Sequence, residues 1–179
     1  MTNTDDQKLI QHIVDVAESS QFIPASQVKE WLVHPSLDVQ GVVTRLISKD
    51  SSRITPELSF EEKFSAFQNY YRQCLIQNVE SDWVPNRYLA GYEIGNWFNS
   101  LWKDSSVPRE YLMRLKTMLR DLYLENEDLR EVIVNAVLEH LFETPEIAKF
   151  FTDWKADPTM SDPFALAMEW TEKSPNKVT

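Results

Sequence analysis

Histidine is the side chain best suited to hold a metal or move a proton near neutral pH, and this chain has three: His12, His34 and His140. Helical metal centres draw histidines and carboxylates from several helices, and di-iron bundles need paired Glu-x-x-His motifs. Glu30 and His34 stand four apart, while His140-x-x-Glu143 has the right spacing in the reverse order and no second copy. The pattern therefore predicts no metal and no cofactor. His140 falls on an apolar helical stripe beside Leu141 and reads as a core histidine. His12 shares a polar face with Lys8, Asp15 and Glu18 and reads as exposed.

The single cysteine, Cys74, lies on a stripe with Phe67, Tyr71 and Leu75. Free cysteine is among the most buried residue types, and nothing within a turn except Arg72, on another face, would lower its pKa. Gly-x-Ser-x-Gly, phosphate-loop and dinucleotide patterns are missing from the sequence. Acid–base hydrolysis needs two carboxylates in a cleft, one with a raised pKa. Glu131 and Glu139 sit two turns apart on one helix, and Glu93 lies mid-helix among Tyr88, Tyr92, Ile94 and Trp97, which could desolvate it. An exposed Glu93, or one paired with Arg87 or Arg114, competes with that reading. Catalytic residues are therefore not assigned, and an enzyme centred on Glu93 is kept as an alternative.

These side chains must be positioned by helices. Only three glycines occur, too few for an all-β protein, and six tryptophans promise a real core. Apolar residues recur at spacings of three and four from Asp5 to Ser19, after Pro24, after Ser36, and from Phe60 to Leu75. Ser59-Phe-Glu-Glu62 is a capping-box pattern. Further helices are predicted from near Pro85 to Lys103, after Pro108, from Glu127 to Phe142, after Thr144-Pro145 and after Asp162-Pro163. From Glu127 to Phe142 apolar residues nearly encircle the axis, the mark of a central helix. Gly91 and Gly95, four apart in a helix, imply close approach of a second helix or an aromatic ring. The fold class predicted is all-α, a single irregular bundle of about eight helices. The polar stretch 48–58 marks a candidate boundary between an N-terminal subdomain, 1–50, and a main helical domain, 59–173.

Charge is unevenly placed along the chain. Residues 1–120 carry 15 acidic and 13 basic side chains, and residues 121–179 carry 13 and 5. Of the formal −10, the last third thus holds −8. An acidic surface repels nucleic acid and favours basic partners. The acids at Glu125, Glu127 and Glu131 suit a helix start. Those at Glu143, Glu146, Asp153 and Asp157 are less well explained locally, and Trp154 among them would suit a patch for a basic partner. These eight residues are the candidate partner-binding set, with Trp154 also completing a core stripe. A merely solvated, solubilising face is the competing explanation. The polar acidic start, the lone cysteine and the lack of a long apolar run predict a cytosolic protein off the membrane.

The stretch from Asn135 to Pro158, with its Glu139-His-Leu-Phe-Glu143 and Phe150-Phe-Thr-Asp-Trp154 runs, resembles a segment of small, acidic, helical bacterial immunity proteins. These accompany toxins in contact-dependent inhibition and related polymorphic toxin systems. The similarity spans roughly residues 127–172. It implies a non-enzymatic cytosolic protein that binds a cognate toxin domain and blocks its active site. Many such toxins are nucleases with basic clefts, which an acidic face would fit. The resemblance carries over no residue roles. A helical adaptor or scaffold with no toxin partner is the alternative.

Overall fold

A computed structural model of the chain describes residues 4–173. It is all-α. Counting 127–142 as one rod, the described residues form nine helices, against about eight expected, and only a two-residue parallel bridge joins Ile23–Pro24 to Ile54–Thr55. Packing divides the chain into two compact units, residues 1–86 and 87–179.

The first unit holds α1 (Thr4–Glu18), α2 (Ala25–Leu32), α3 (Leu37–Asp50) and α4 (Phe60–Gln77). The apolar stripes of α1, α2 and α3 close on one another through Ile13, Val28, Val39, Val43 and Ile47. Helix α4 opens with the expected capping box: Ser59 Oγ accepts from the Glu62 amide, and Glu62 accepts from the Ser59 amide. Ser36 precedes α3, but its side chain makes no capping bond; its amide instead donates to His34 Nδ1 at 3.2 Å.

The 48–58 stretch is not where the chain divides. Ile54 and Leu58 are buried in the first unit's core. Arg53 reaches back and donates to the carbonyls of Val16 and Ala17, acceptors at the end of α1 that no helical amide reaches, and to that of Gln21 in the turn beyond it. Polar composition marked a surface here, whereas burial and this guanidinium bind it into the unit. The division falls instead after the loop 78–86, which Tyr70 anchors by donating from its hydroxyl to the Trp83 carbonyl at 2.7 Å. Gly41 permits that approach, since a Cβ there would stand 2.2 Å from the Trp83 oxygen.

The second unit holds α5 (Arg87–Lys103), α6 (Arg109–Glu125), α7 (Glu127–Val132), a π-helical turn (Ile133–Leu138), α8 (Glu139–Phe142), α9 (Pro145–Phe150), a 3-10 turn (Thr152–Ala156) and α10 (Ser161–Lys173). Asn126 separates α6 from α7 and caps the latter, accepting from the Asp128 amide at 3.0 Å. Thr144 and Pro145 begin α9 as expected, with Pro145 in the first turn. The rod 127–142 is central: Leu129, Val132, Ile133, Ala136, Val137, Leu138 and Leu141 are all buried. Its widened middle was not anticipated. There the Glu139 amide reaches back five residues to Val134, a rare winding that recurs at functional sites.

The charge step seen at residue 120 does not coincide with this division. Residues 1–86 hold 12 acidic and 7 basic side chains, and residues 87–179 hold 16 and 11, so each carries −5. The basic residues of α6 fold into the same unit as the acidic last third and neutralise part of it.

Candidate functional site

The eight residues singled out by charge do not form one face. Two of them turn towards α6. Asp153 pairs with Lys116, whose side chain is only 5% exposed and also donates to the Phe150 carbonyl at 3.0 Å. Asp157 accepts from the Thr159 hydroxyl and amide at 2.7 and 2.9 Å and from Arg120 at 3.3 Å. Those bonds, Thr159 first, hold its carboxyl below the ordinary carboxylate range. Trp154 is a correction: it is 3% exposed, its ring set edge-on against Phe151 at 4.8 Å. Its stripe on the 3-10 turn faces inward, so it fills the core rather than offering contact area. Glu125 is exposed in the last turn of α6, and Glu146 in the first turn of α9.

The remaining three acids belong to a different assembly. Glu127 and Glu131 lie one turn apart on α7, both exposed, with Glu127 3.2 Å from Arg130. Tyr88 of α5 lies close enough to Glu131 for the carboxylate to act on its phenol. Partial burial first, and then that carboxylate, hold the Tyr88 phenol above its ordinary value. Tyr92 follows Tyr88 by one helical turn, and each is 43% exposed. The Tyr92 ring lies against His140 of α8, centroids 4.5 Å apart. His140 in turn stands edge-on to Trp170 of α10 at 6.0 Å, with its Nδ1 3.7 Å from Glu143. The result is a continuous strip across one unit: carboxylates, two tyrosines, an imidazole, an indole and a further carboxylate.

Two local features build this strip. Gly91, between the tyrosines on α5, brings that helix so close to the π turn that a Cβ would stand 2.7 Å from Ala136 Cβ. The extra residue in the π turn then shifts the register of everything after it. An unbroken α-helix would leave His140 on the apolar stripe with Leu141. In the shifted register the His140 side chain is 29% exposed, which corrects its reading as a core histidine. The same shift leaves Glu139 partly buried, and desolvation raises its carboxyl pKa.

The other candidates settle as follows. Cys74 is buried, and burial pushes its thiol up to about 12, far from a nucleophile's range. Glu93 is exposed on α5 rather than enclosed by its aromatic neighbours, so the enclosure an acid–base site requires is lacking there. His12 is exposed, its ring 6.0 Å from Trp31, and His34 is half-buried with Nε2 4.0 Å from Asp6. Among the described residues no three His, Cys, Asp or Glu side chains converge as they would around a metal ion. No helix among them is long and apolar enough to cross a membrane.

Sequence reasoning named Glu127, Glu131 and Glu143 as binding residues, but it set Tyr88 and Tyr92 around Glu93 and read His140 as core, so it did not join the rings to these acids. Tyr88 and Tyr92 at i and i+4, flanking the glycine at 91, were the available signal. No protein-family model matches this chain, and comparison with curated proteins and with solved structures returned no match.

Proposed function

We propose that this protein is a non-enzymatic binding protein that grips a cationic protein domain through the strip running from Glu127 to Trp170. The observation that carries the reading is a run of partly exposed aromatic rings flanked by carboxylates, Glu131–Tyr88–Tyr92–His140–Glu143, on a helical frame. Aromatic rings supply contact area at low conformational cost, while surrounding acids steer a basic partner and disfavour acidic ones. Tyrosine faces also receive guanidinium and ammonium groups.

The resemblance of residues 127–172 to immunity proteins gives this reading its specific form, neutralisation of a basic, nuclease-like toxin domain. An adaptor with no toxin partner would use the same strip without inhibiting anything.

The test takes as partner a basic domain, sought first in a secreted protein whose gene lies beside that of this chain. Glu131→Lys with Glu143→Lys should lower the association rate by about tenfold at low salt and leave the melting temperature nearly unchanged. Tyr92→Ala should act mainly on dissociation, at a cost of about 2 kcal/mol. Unchanged binding in both variants would place the interface elsewhere. Tight binding without loss of the partner's activity would favour the adaptor.

A further inference from the structure

Three rings from three helices of the second unit meet at His140. The Tyr92 ring of α5 stands 4.5 Å from it, tilted by 39°, and the Trp170 ring of α10 stands 6.0 Å away, tilted by 65°. None of the three is closed off from water: Tyr92 is exposed, and His140 and Trp170 are partly so. Glu143 borders them, exposed, 3.7 Å from His140 Nδ1.

Elsewhere in this chain, half-buried rings at the surface carry an exposed arginine. Arg45 lies 4.9 Å from the centroid of Trp83, Arg109 4.1 Å from that of Trp102 and Arg130 5.7 Å from that of Tyr123. The face of an aromatic ring attracts a cation, and a flat guanidinium covers the ring while its rim of N–H donors stays open to acceptors. Among the described residues no arginine or lysine stands over Tyr92, His140 or Trp170. These rings therefore have the surface that the chain covers elsewhere, without the cover.

The border selects what can supply it. An anion would meet the Glu143 carboxylate and the negative ring faces. A purely apolar side chain would take water from that carboxylate and return no donor. A lysine ammonium is a compact, strongly hydrated charge with no flat face to lay on a ring. A guanidinium answers both demands at once, face to ring and rim to carboxylate.

We infer that Tyr92, His140 and Trp170 receive one arginine side chain of the partner, its guanidinium flat on the rings and its rim donating to Glu143. The inference rests on the binding strip proposed above and names the group that enters it.

The test titrates the full chain with Nα-acetyl-arginine methylamide, with the citrulline analogue, planar but neutral, and with Nα-acetyl-lysine methylamide, following backbone and indole N–H resonances by NMR. The arginine derivative should shift Tyr92, His140 and Trp170 saturably in the millimolar range, and the other two should bind about fivefold more weakly. Glu143→Gln should weaken the arginine derivative about fivefold. Glu146→Gln, also exposed but on α9, should leave it within about twofold. His140→Ala should cost about fivefold, and His140→Phe, which keeps a flat ring, should restore most of that. Equal binding of the three probes, equal losses in Glu143→Gln and Glu146→Gln, or no rescue by His140→Phe would overturn the assignment. If the probes bind equally while Tyr92→Ala still weakens the basic domain, the strip stands and the arginine falls. If arginine is preferred while Tyr92→Ala leaves the basic domain unaffected, the arginine site stands and the proposed partner falls.

Discussion

Lys116 shows how much a single side chain can redirect a charge argument. Its stem runs among Phe150, Phe151 and Trp154, with the ammonium 5.0 to 5.8 Å from those three ring centroids. An ammonium so placed needs partners, and the Phe150 carbonyl and Asp153 supply them. Asp153 therefore holds a buried cation in place even though its own side chain is 66% exposed. Lys116→Ala should cost about 3 kcal/mol in urea denaturation, through lost packing as much as lost charge. Lys116→Met, which refills the volume, should cost less than half of that. Equal losses for Met and Ala would show that the charge, not the stem, is what the ring cluster requires.

Glu62 makes the complementary case on the surface of the first unit. Its carboxyl is drawn down to about 2, chiefly by the hydrogen bond from Lys29 and then by those from Ser59. A carboxyl depressed in the folded state stabilises above its unfolded value, near 4.5, and loses that contribution as pH falls towards 2. Glu62→Gln keeps the capping geometry and removes the charge. Its melting temperature should lie below that of the parent at pH 7 and converge with it by about pH 2. A gap that persists at pH 2 would mean that the cap, not the ion pair, was lost.

At the scale of elements, the pairing of α5 with the π turn governs the second unit. Five of the six side chains in that turn are buried, Ile133, Val134, Ala136, Val137 and Leu138, which offsets the poorer backbone geometry of the wide turn. The two glycines facing it are not equivalent. A Cβ on Gly91 would stand 2.7 Å from Ala136 Cβ, whereas one on Gly95 would meet only carbonyl oxygens at 3.9 and 4.0 Å. Gly91→Ala should therefore destabilise by about 1–3 kcal/mol. Gly95→Ala should stabilise by about 0.5–1 kcal/mol, since the helix gains a better former with room for its methyl group. Thermal melts of the two single variants check both signs. Because Tyr88 and Tyr92 flank Gly91, its substitution should also weaken partner binding, which the Gly95 change should not.

For the whole molecule, a net charge of −10 describes solubility better than recognition. The two units carry equal charge, so net charge cannot decide which of them a basic partner meets first. Local arrangement can. Glu18→Lys with Glu30→Lys changes the net charge as much as Glu131→Lys with Glu143→Lys, at exposed positions in the first unit. Stopped-flow association with the basic domain should slow less than twofold for the first pair and about tenfold for the second. Equal slowing would show that the field of the entire chain, not the strip, does the steering.

Much of this was legible in the linear chain, because helices are short-range objects. Periodicity, the Ser59–Glu62 capping box, the prolines at 108 and 145 and the inert setting of Cys74 depend on residues within a few turns of one another, and all reappear in the structure. Glycine spacing likewise announced a close helix contact. What only tertiary structure decided were pairings between residues far apart: Lys116 with Asp153, Arg120 with Asp157, Tyr88 with Glu131, Tyr92 with His140. The first two cancel charge that the linear order had left as an acidic tail. The last two assemble a surface from α5, α7 and α8 that no single stretch displays. The π turn belongs with them, since its register is set by what packs against it rather than by any local signal. Charge counted along a chain ignores the fold that brings opposite signs together, and Coulomb attraction and burial act on distance in space.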